Sequence, residues 1–201
     1  MCLKIKSMLP ISRRFQDAIA YALELHAEHA RKGTGIPYVS HLMSVAALAM
    51  EYGADEDEAI AALLHDAVED QGGLPVLESI RKKFGQQVAM IVDGCTDAYE
   101  DPKPPWRERK ESYLVHLKDA EPSVRLVSAC DKLHNARSIC SDLIELGEVV
   151  FGRFKGGKNG TLWYYRSLAD EFNRGGPKRI AAELGRVVTE IENRVKLICD
   201  G

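Results

Sequence analysis

Helical periodicity is the feature of this 201-residue chain that most restricts its fold. Apolar residues recur at i, i+3, i+4 and i+7 in nearly every patterned segment, and no segment alternates cleanly between apolar and polar residues over a strand's length. The pattern therefore predicts an all-α fold, which we expect to form a single domain over residues 1–201. The predicted helices cover residues 13–30, 40–53, 56–70, 75–83, 85–95, 107–118, 122–143, 161–174 and 178–199.

Size, charge and cysteine usage exclude several classes of protein. A chain with 45% apolar residues can bury a core without disulfides or a structural metal, so we expect any metal site to be functional. A formal net charge of -3 provides no positive field for a nucleic-acid polymer, and no apolar run is long enough for a membrane span or a signal peptide. Five scattered cysteines without a C-x-x-C pair predict reduced thiols and a cytoplasmic location.

The most informative segment is 59–73, which reads AIAALLHDAVEDQGG. As one predicted helix ending at the two glycines, it places Asp66, Glu69 and Asp70 near the negative end of the helix dipole, beside His65. Each exposed carboxylate there would cost about 0.3–1 kcal/mol. A divalent cation would neutralise the cluster, whereas a solvated acidic helix end is the alternative interpretation.

Two further candidate ligands lie in other predicted helices. His41 begins a helix whose other early residues are apolar or small, which places its ring near the core, where a hydrogen-bonded core histidine is the alternative. Asp131 lies on a helical stripe that begins with Val124. A buried carboxylate is costly unless it is paired or bound to a metal, and Lys132 or Arg137 could provide the pairing.

Together these segments supply two imidazoles and two carboxylates for a metal ion. The candidate ligands are His41, His65, Asp66 and Asp131. Mixed nitrogen and oxygen ligation suits Mn²⁺, Fe²⁺ or Zn²⁺ better than Ca²⁺ or Mg²⁺. Glu69 and Asp70 remain free for acid–base chemistry.

The surrounding sequence contains a set of family motifs. These are RKGTGIPYVSH at 31–41, LLHDAVED at 63–70, FGQQVAMIVDGCTD at 84–97 and CDKLHNARS at 130–138. In this order they resemble the hydrolase domain of RelA/SpoT-type alarmone enzymes, which belong to the HD superfamily of metal-dependent phosphohydrolases. The resemblance covers about residues 11–170, and because no synthetase domain follows, the chain is similar to stand-alone small alarmone hydrolases.

The resemblance implies a helical HD-domain phosphohydrolase fold and specific residue roles. It assigns one Mn²⁺ per chain, or another divalent transition metal, to His41, His65, Asp66 and Asp131. It assigns the attacking water and proton transfer to Glu69 and Asp70. It assigns contacts with the purine nucleotide to Arg31, Lys32, Asn135 and Tyr164.

The resemblance also implies an activity, the removal of 3′-pyrophosphate from a purine alarmone such as ppGpp or ppApp. The expected partner is thus a small nucleotide, with no nucleic-acid polymer and no membrane involved. An HD-fold phosphatase acting on NADPH or a 5′-nucleotide is one alternative, and a non-catalytic nucleotide sensor is another. The intact ligand set and the Glu69–Asp70 pair argue against the sensor.

Two other groups of residues have less specific interpretations. His26 and His29 could belong to a second metal site, but the Ala- and Glu-rich sequence around them favours a surface position. The charged run 107–111 predicts a solvated helix face with i,i+4 ion pairs.

Overall fold

The computed structural model describes residues 11–97, 99 and 102–199. The helices are α1 Arg13–Leu25, α2 Val39–Glu51, α3 Glu56–Leu64, α4 Ala67–Gln71, α5 Gly73–Phe84, α6 Gln86–Cys95, α7 Trp106–Asp119, α8 Pro122–Leu146, α9 Gly157–Gly175 and α10 Lys178–Cys199, with a 3-10 helix at Gly147–Arg153. Within these residues, the only β-type pairing is an isolated bridge between Ala30 and Pro37, so the all-α prediction is confirmed. The outermost residues of the predicted domain, 1–10 and 200–201, lie outside the described part.

The longest helix, α8, runs through the centre of the fold. Pro122 begins it, a position where the missing N–H of proline costs no hydrogen bond. Residues 124–131 are buried without interruption because α2, α3, α6, α9, α10 and the 3-10 helix pack around α8. A polar side chain within residues 124–131 is therefore surrounded by protein, which is why Asp131 is buried.

A second buried helix, α3, supplies the other half of the core. It begins with a capping box, in which Asp55 accepts from the Glu58 backbone and Glu58 accepts from the Asp55 backbone. Residues 59–64 are all buried against α1, α2, α6 and α8. The packing of α3 against α8 brings the end of α3 close to the middle of α8.

The predicted single helix over 56–70 is wrong, because the chain breaks at His65 and Asp66. α3 ends at Leu64, and α4 begins at Ala67 with Asp66 as its N-cap residue. Glu69 and Asp70 therefore lie in the first turn of a new helix, and the unfavourable dipole inferred from the sequence does not arise. The apolar run contains no glycine or proline at the break, so the local sequence carries no signal for it.

The loop after α1 is longer than predicted, because α1 ends at Leu25 and not near residue 30. Beyond His26 the chain folds back on itself, with the Arg31 N–H donating to the Ile36 carbonyl at 2.8 Å. Gly33 has a φ of 71°, a left-handed conformation that glycine adopts without strain. This loop, residues 26–38, carries Arg31 and Lys32 to the edge of the site.

The described residues agree with two further predictions. No helix among them has the length and apolar content needed to cross a bilayer. Cys95, Cys130 and Cys140 are free thiols, while Cys2 and the side chain of Cys199 lie outside the described part.

Candidate metal centre

The predicted metal ligands meet at one point between α2, α8 and the junction of α3 with α4. One donor atom from each of His41, His65 and Asp66 lies within 4.8 Å of the others. Asp131 Oδ1 lies 3.2 Å from His41 Nε2 and 3.6 Å from His65 Nε2. The structure thus brings all four predicted ligands together.

The geometry of the two imidazoles fits a divalent transition metal. The Nε2 atoms of His41 and His65 are buried and make no hydrogen bond to any described residue. Carboxylate oxygens nevertheless lie close by, since Asp66 Oδ2 is 2.9 Å from His65 Nε2 and 3.5 Å from His41 Nε2. Buried polar atoms normally have a partner, and nitrogen and oxygen donors that face a common point are the ligands that such a metal takes.

The outer nitrogen of each imidazole is held by a neighbour. His65 Nδ1 lies 2.8 Å from the Ala62 carbonyl oxygen, so Nδ1 carries the proton and Nε2 is free to bind a metal. His41 Nδ1 lies 2.8 Å from Nδ1 of His134. Tyr38 donates its hydroxyl to Asp66 Oδ2 at 2.6 Å. These contacts orient three of the four ligands.

Asp131 forms an ion pair and also faces the two imidazoles. Lys132 Nζ lies 2.6 Å from Asp131 Oδ2, and the Asn135 amide donates to Oδ1. Burial alone would raise the pKa of Asp131, but the Lys132 ammonium together with the His41 and His65 imidazoles outweighs it and holds that pKa well below its usual range. Arg137, the other partner considered from the sequence, pairs with Glu183. Lys132 pairs with Oδ2, which leaves Oδ1, the oxygen that faces the imidazoles and accepts from Asn135, available to a metal.

Glu69 and Asp70 lie at the rim of the metal centre. Glu69 Oε1 accepts from Lys103 Nζ at 2.7 Å. Partial burial, followed by the carboxylates of Asp66 and Glu69, raises the pKa of Asp70 to about 7. The pair is placed where it can exchange protons with a molecule bound beside the metal ligands.

Two cavities adjoin the metal centre. The first, which we call the loop cavity, has a volume of about 400 Å³ and is lined in part by Arg31, Tyr38 and Arg153. The second, the lysine cavity, has a volume of about 430 Å³ and includes Glu69 and Asp70 in its wall. The residues common to both cavities are Lys32, Asn135, Phe154 and Tyr165.

The lysine cavity is strongly cationic. Its basic lining residues are Lys32, Lys103, Arg109, Lys110, Lys132 and Lys155.

The predicted solvated face over 107–111 is only partly correct. Arg107 pairs with Glu111 at 2.6 Å, but Arg109 is buried, and both Arg109 and Lys110 bind Asp97. The sequence could not show this, because Asp97 comes from the end of another helix.

The predicted nucleotide contacts occupy different positions around these cavities. Arg31, Lys32 and Asn135 line the loop cavity, while Tyr164 lines the lysine cavity, is 6% exposed, and has a buried hydroxyl oxygen without a partner among the described residues. Tyr165, which was not among the predicted contacts, lines both cavities.

The sequence favoured a surface position for both His26 and His29, but only His29 is partly exposed. His26 is 3% exposed and packs beneath the loop that carries Tyr38. His29 is partly exposed and stacks on the Tyr38 ring with their centroids 4.0 Å apart. His134, three residues after Asp131 on α8, contacts His41.

The site combines imidazoles and carboxylates from separate helices of an all-α fold. This arrangement defines a metal-dependent phosphohydrolase of the HD class. The family described as HD domain matches residues 18–149. The chain belongs to this family and, within it, is similar to the small HD-domain hydrolases of the MESH1 type. Guanosine-3′,5′-bis(diphosphate) 3′-pyrophosphohydrolase MESH1 of Xenopus tropicalis is 36% identical over 126 residues, which cover 61% of this chain and 68% of the relative.

Two other comparisons agree with this assignment. The guanosine-3′,5′-bis(diphosphate) 3′-pyrophosphohydrolase of Aquifex aeolicus is 35% identical over 134 residues, 64% of this chain, but this match spans only 18% of that longer protein. A solved structure described as a metazoan ortholog of SpoT that hydrolyzes ppGpp superposes with a TM-score of 0.76 at 24% identity. It covers 92% of this chain and 98% of that chain, which confirms the fold.

Proposed function

We propose that this chain hydrolyses the 3′-diphosphate of a purine nucleotide and releases pyrophosphate, with ppGpp or ppApp as the substrate and one Mn²⁺ or similar divalent transition metal as the cofactor. The observation that carries the proposal is the position of the metal ligands beside two cavities of different character. The names of the Xenopus and Aquifex relatives support a guanine alarmone.

The two cavities match the two parts of such a nucleotide. The loop cavity is lined by aromatic, polar and basic groups, among them Tyr165, Ser138 and Arg31, which suit a base and a ribose. The lysine cavity concentrates cations and suits phosphate groups, which bind Lys and Arg through charge-assisted hydrogen bonds. A nucleotide lying across Lys32 and Asn135 would place its sugar in one cavity and a diphosphate in the other.

The residues that would hold the metal are His41, His65, Asp66 and Asp131. Bound there, a divalent transition metal would supply a water of lowered pKa and an electrophile that offsets phosphate charge. Lys103 holds Glu69 in place as an acceptor at 2.7 Å, and Asp70 lies one residue further along α4.

The reaction needs one proton to move. The water oxygen forms a bond to the phosphorus attached to the ribose 3′-oxygen, and the bond from that phosphorus to the 3′-oxygen breaks. The Glu69–Asp70 pair takes the proton from the attacking water and returns one to the departing 3′-oxygen, so that atoms and charge balance. Lys132 and Asn135 keep Asp131 in place throughout.

A product assay tests the proposal. The purified protein is supplied with Mn²⁺ and, separately, with ppGpp, ppApp and NADPH, and pyrophosphate and orthophosphate are measured. We expect pyrophosphate from at least one of the two alarmones. If NADPH releases orthophosphate and neither alarmone releases pyrophosphate, the protein is an HD-fold phosphatase and the proposal is wrong. If the protein binds a nucleotide tightly without turnover, it is a non-catalytic nucleotide sensor.

A further inference from the structure

We propose a second metal site in this protein, formed by His26, His29 and the side chain of Gln71, with Asp70 at its edge. The ion it fits is a borderline divalent transition metal such as Zn²⁺ or Co²⁺. None of the three main donors belongs to the cluster of His41, His65, Asp66 and Asp131.

Three donor groups form a compact triangle. His26 Nδ1 and His29 Nδ1 lie 3.1 Å apart, and the Gln71 amide lies 3.3 Å from the first and 3.5 Å from the second. Two ligands bound to one ion at metal–ligand distances of about 2.1 Å have donor atoms about 3.0–3.4 Å apart. The triangle therefore has the size that a shared ion requires.

The Gln71 amide can present its oxygen atom to a metal ion. The two ends of a glutamine amide are assigned from the hydrogen-bond network, so either the nitrogen or the oxygen can face the two imidazoles. With the oxygen turned inward, the triangle presents two imidazole nitrogens and one carbonyl oxygen. This donor set suits the same transition ions as histidine–carboxylate sites.

The fold holds these side chains in place before any ion binds. His26 is the C-cap residue of α1 and is buried, and Gln71 is the last residue of α4. The Tyr38 ring stacks on His29 with an interplanar angle of 13° and on His26 with an angle of 16°. Rings fixed by stacking lose little entropy on binding a ligand, which favours a metal site.

The charge around the triangle also favours a cation. Asp70 Oδ2 lies 4.0 Å from His29 Nδ1, and Glu24 and Glu28 line the cavity that opens beside Asp70 and Gln71. That cavity, about 560 Å³ in volume, gives an ion and its water ligands a path to solvent. Asp70 also belongs to the lysine cavity, so the second ion would lie next to the acid–base pair.

Metal stoichiometry tests the site without relying on catalysis. The full chain is stripped of metal and titrated with Co²⁺, and bound equivalents and visible d–d absorption are recorded for wild type and for the His26→Ala/His29→Ala variant. The matched control is His116→Ala, which removes an exposed imidazole on α7 that contacts the Gly94 carbonyl and the Tyr113 ring. Circular dichroism reports whether each variant is folded.

We expect two equivalents of Co²⁺ in the wild type and in His116→Ala, and one in the double variant. Gln71→Ala should raise the dissociation constant of the second ion by at least about ten-fold, and Gln71→Glu should restore or tighten binding. These Gln71 variants decide the matter if the double variant fails to fold. One equivalent in the wild type, or two in the double variant, would show that His26 and His29 form only a hydrogen-bonded pair.

Because the readout is bound metal, its outcome is separate from that of the proposed function. If the protein hydrolyses ppGpp but binds a single Co²⁺, the proposed function stands and the second metal site is wrong. If it binds two ions and hydrolyses none of the nucleotides, the second metal site stands and the proposed function is wrong.

Discussion

The Nδ1 atoms of His41 and His134 lie 2.8 Å apart, across 93 residues of sequence. This contact occupies the outer nitrogen of His41 and leaves Nε2 to face Asp66 and Asp131. For His41 to bind a metal through Nε2, the proton between the two Nδ1 atoms must be on His41, and His134 then accepts it. His134 is therefore placed to orient a candidate ligand without being one of the four.

We expect His134→Ala to weaken metal binding by about 10–100-fold, the usual cost of losing a group that orients a metal-bound histidine. The dissociation constant for Mn²⁺ measured by calorimetry checks this, with His116→Ala as the control at an exposed histidine. An unchanged dissociation constant would mean that His41 is oriented by its packing alone.

Substitution of the candidate metal ligands should have a larger effect than His134→Ala. Asp66→Ala and Asp131→Ala should each abolish Mn²⁺ binding and hydrolysis, because each removes a carboxylate that faces the two imidazoles. Asp17→Ala is the matched control, since Asp17 forms an exposed i,i+4 ion pair with Arg13 on α1. Elemental analysis that finds full metal retention in both site variants would exclude this cluster as the metal centre.

Changes in the Glu69–Asp70 pair should separate metal binding from turnover. Glu69→Gln and Asp70→Asn preserve shape and remove charge, so we expect one Mn²⁺ at the His41–Asp131 cluster and a loss of at least about 10²-fold in kcat. Single-turnover kinetics and metal content measured on the same samples check this. Rates equal to wild type in both amide variants would remove the pair from the proton-transfer step.

Local sequence patterns predicted most of the fold because its two central helices are apolar on nearly every side. The segments that become α3 and α8 contain long apolar runs, which are typical of buried helices. The break at His65 was missed because it serves a tertiary purpose: it turns His65 and Asp66 toward α2 and α8, and nothing in the neighbouring residues requires it.

The four candidate metal ligands could be selected from the sequence because histidine and aspartate are unusual in apolar helices. Their supporting contacts could not, because each depends on packing between distant segments. His134 contacts His41 on another helix, while Arg109 was expected in solvent and is buried against Asp97. Tyr165 lines both cavities and Tyr164 only the lysine cavity, a difference that depends on the tertiary structure.

The contact between Gly156 and Trp106 links stability to the lysine cavity, whose wall includes the Trp106 indole. A Cβ atom at Gly156 would lie 2.6 Å from the ring, so Gly156→Ala must displace it. We expect a loss of about 1–3 kcal/mol in the free energy of unfolding and a higher KM for the nucleotide. Urea denaturation and steady-state kinetics measure both.

Gly152→Ala provides the control, because a Cβ atom at Gly152 would have no neighbour within 4 Å. Its unfolding free energy and KM should stay close to wild type. Equal effects at the two glycines would show that the ring contact is not the cause.

A pH-dependent contribution to stability should come from Tyr52 and Glu183, which join α2 to α10. The Tyr52 hydroxyl donates to Glu183 Oε2 at 2.6 Å and, with help from Arg137, lowers the pKa of Glu183 below its ordinary value. A carboxyl whose pKa is lower in the folded state stabilises the protein fully above its unfolded pKa of about 4.3, and loses that contribution as the pH falls through the folded pKa.

Tyr52→Phe should therefore lower the free energy of unfolding by about 1 kcal/mol at a pH of about 7, and by less at a pH of about 3.5, which lies below the unfolded pKa. Urea denaturation at the two pH values measures the difference. Tyr21→Phe is the matched control, because the Tyr21 hydroxyl donates to the neutral Ser79 hydroxyl at 3.0 Å, so its cost should not change with pH. The same cost for Tyr52→Phe at both pH values would mean that the Tyr52 hydroxyl bonds the charged and protonated forms of Glu183 equally well.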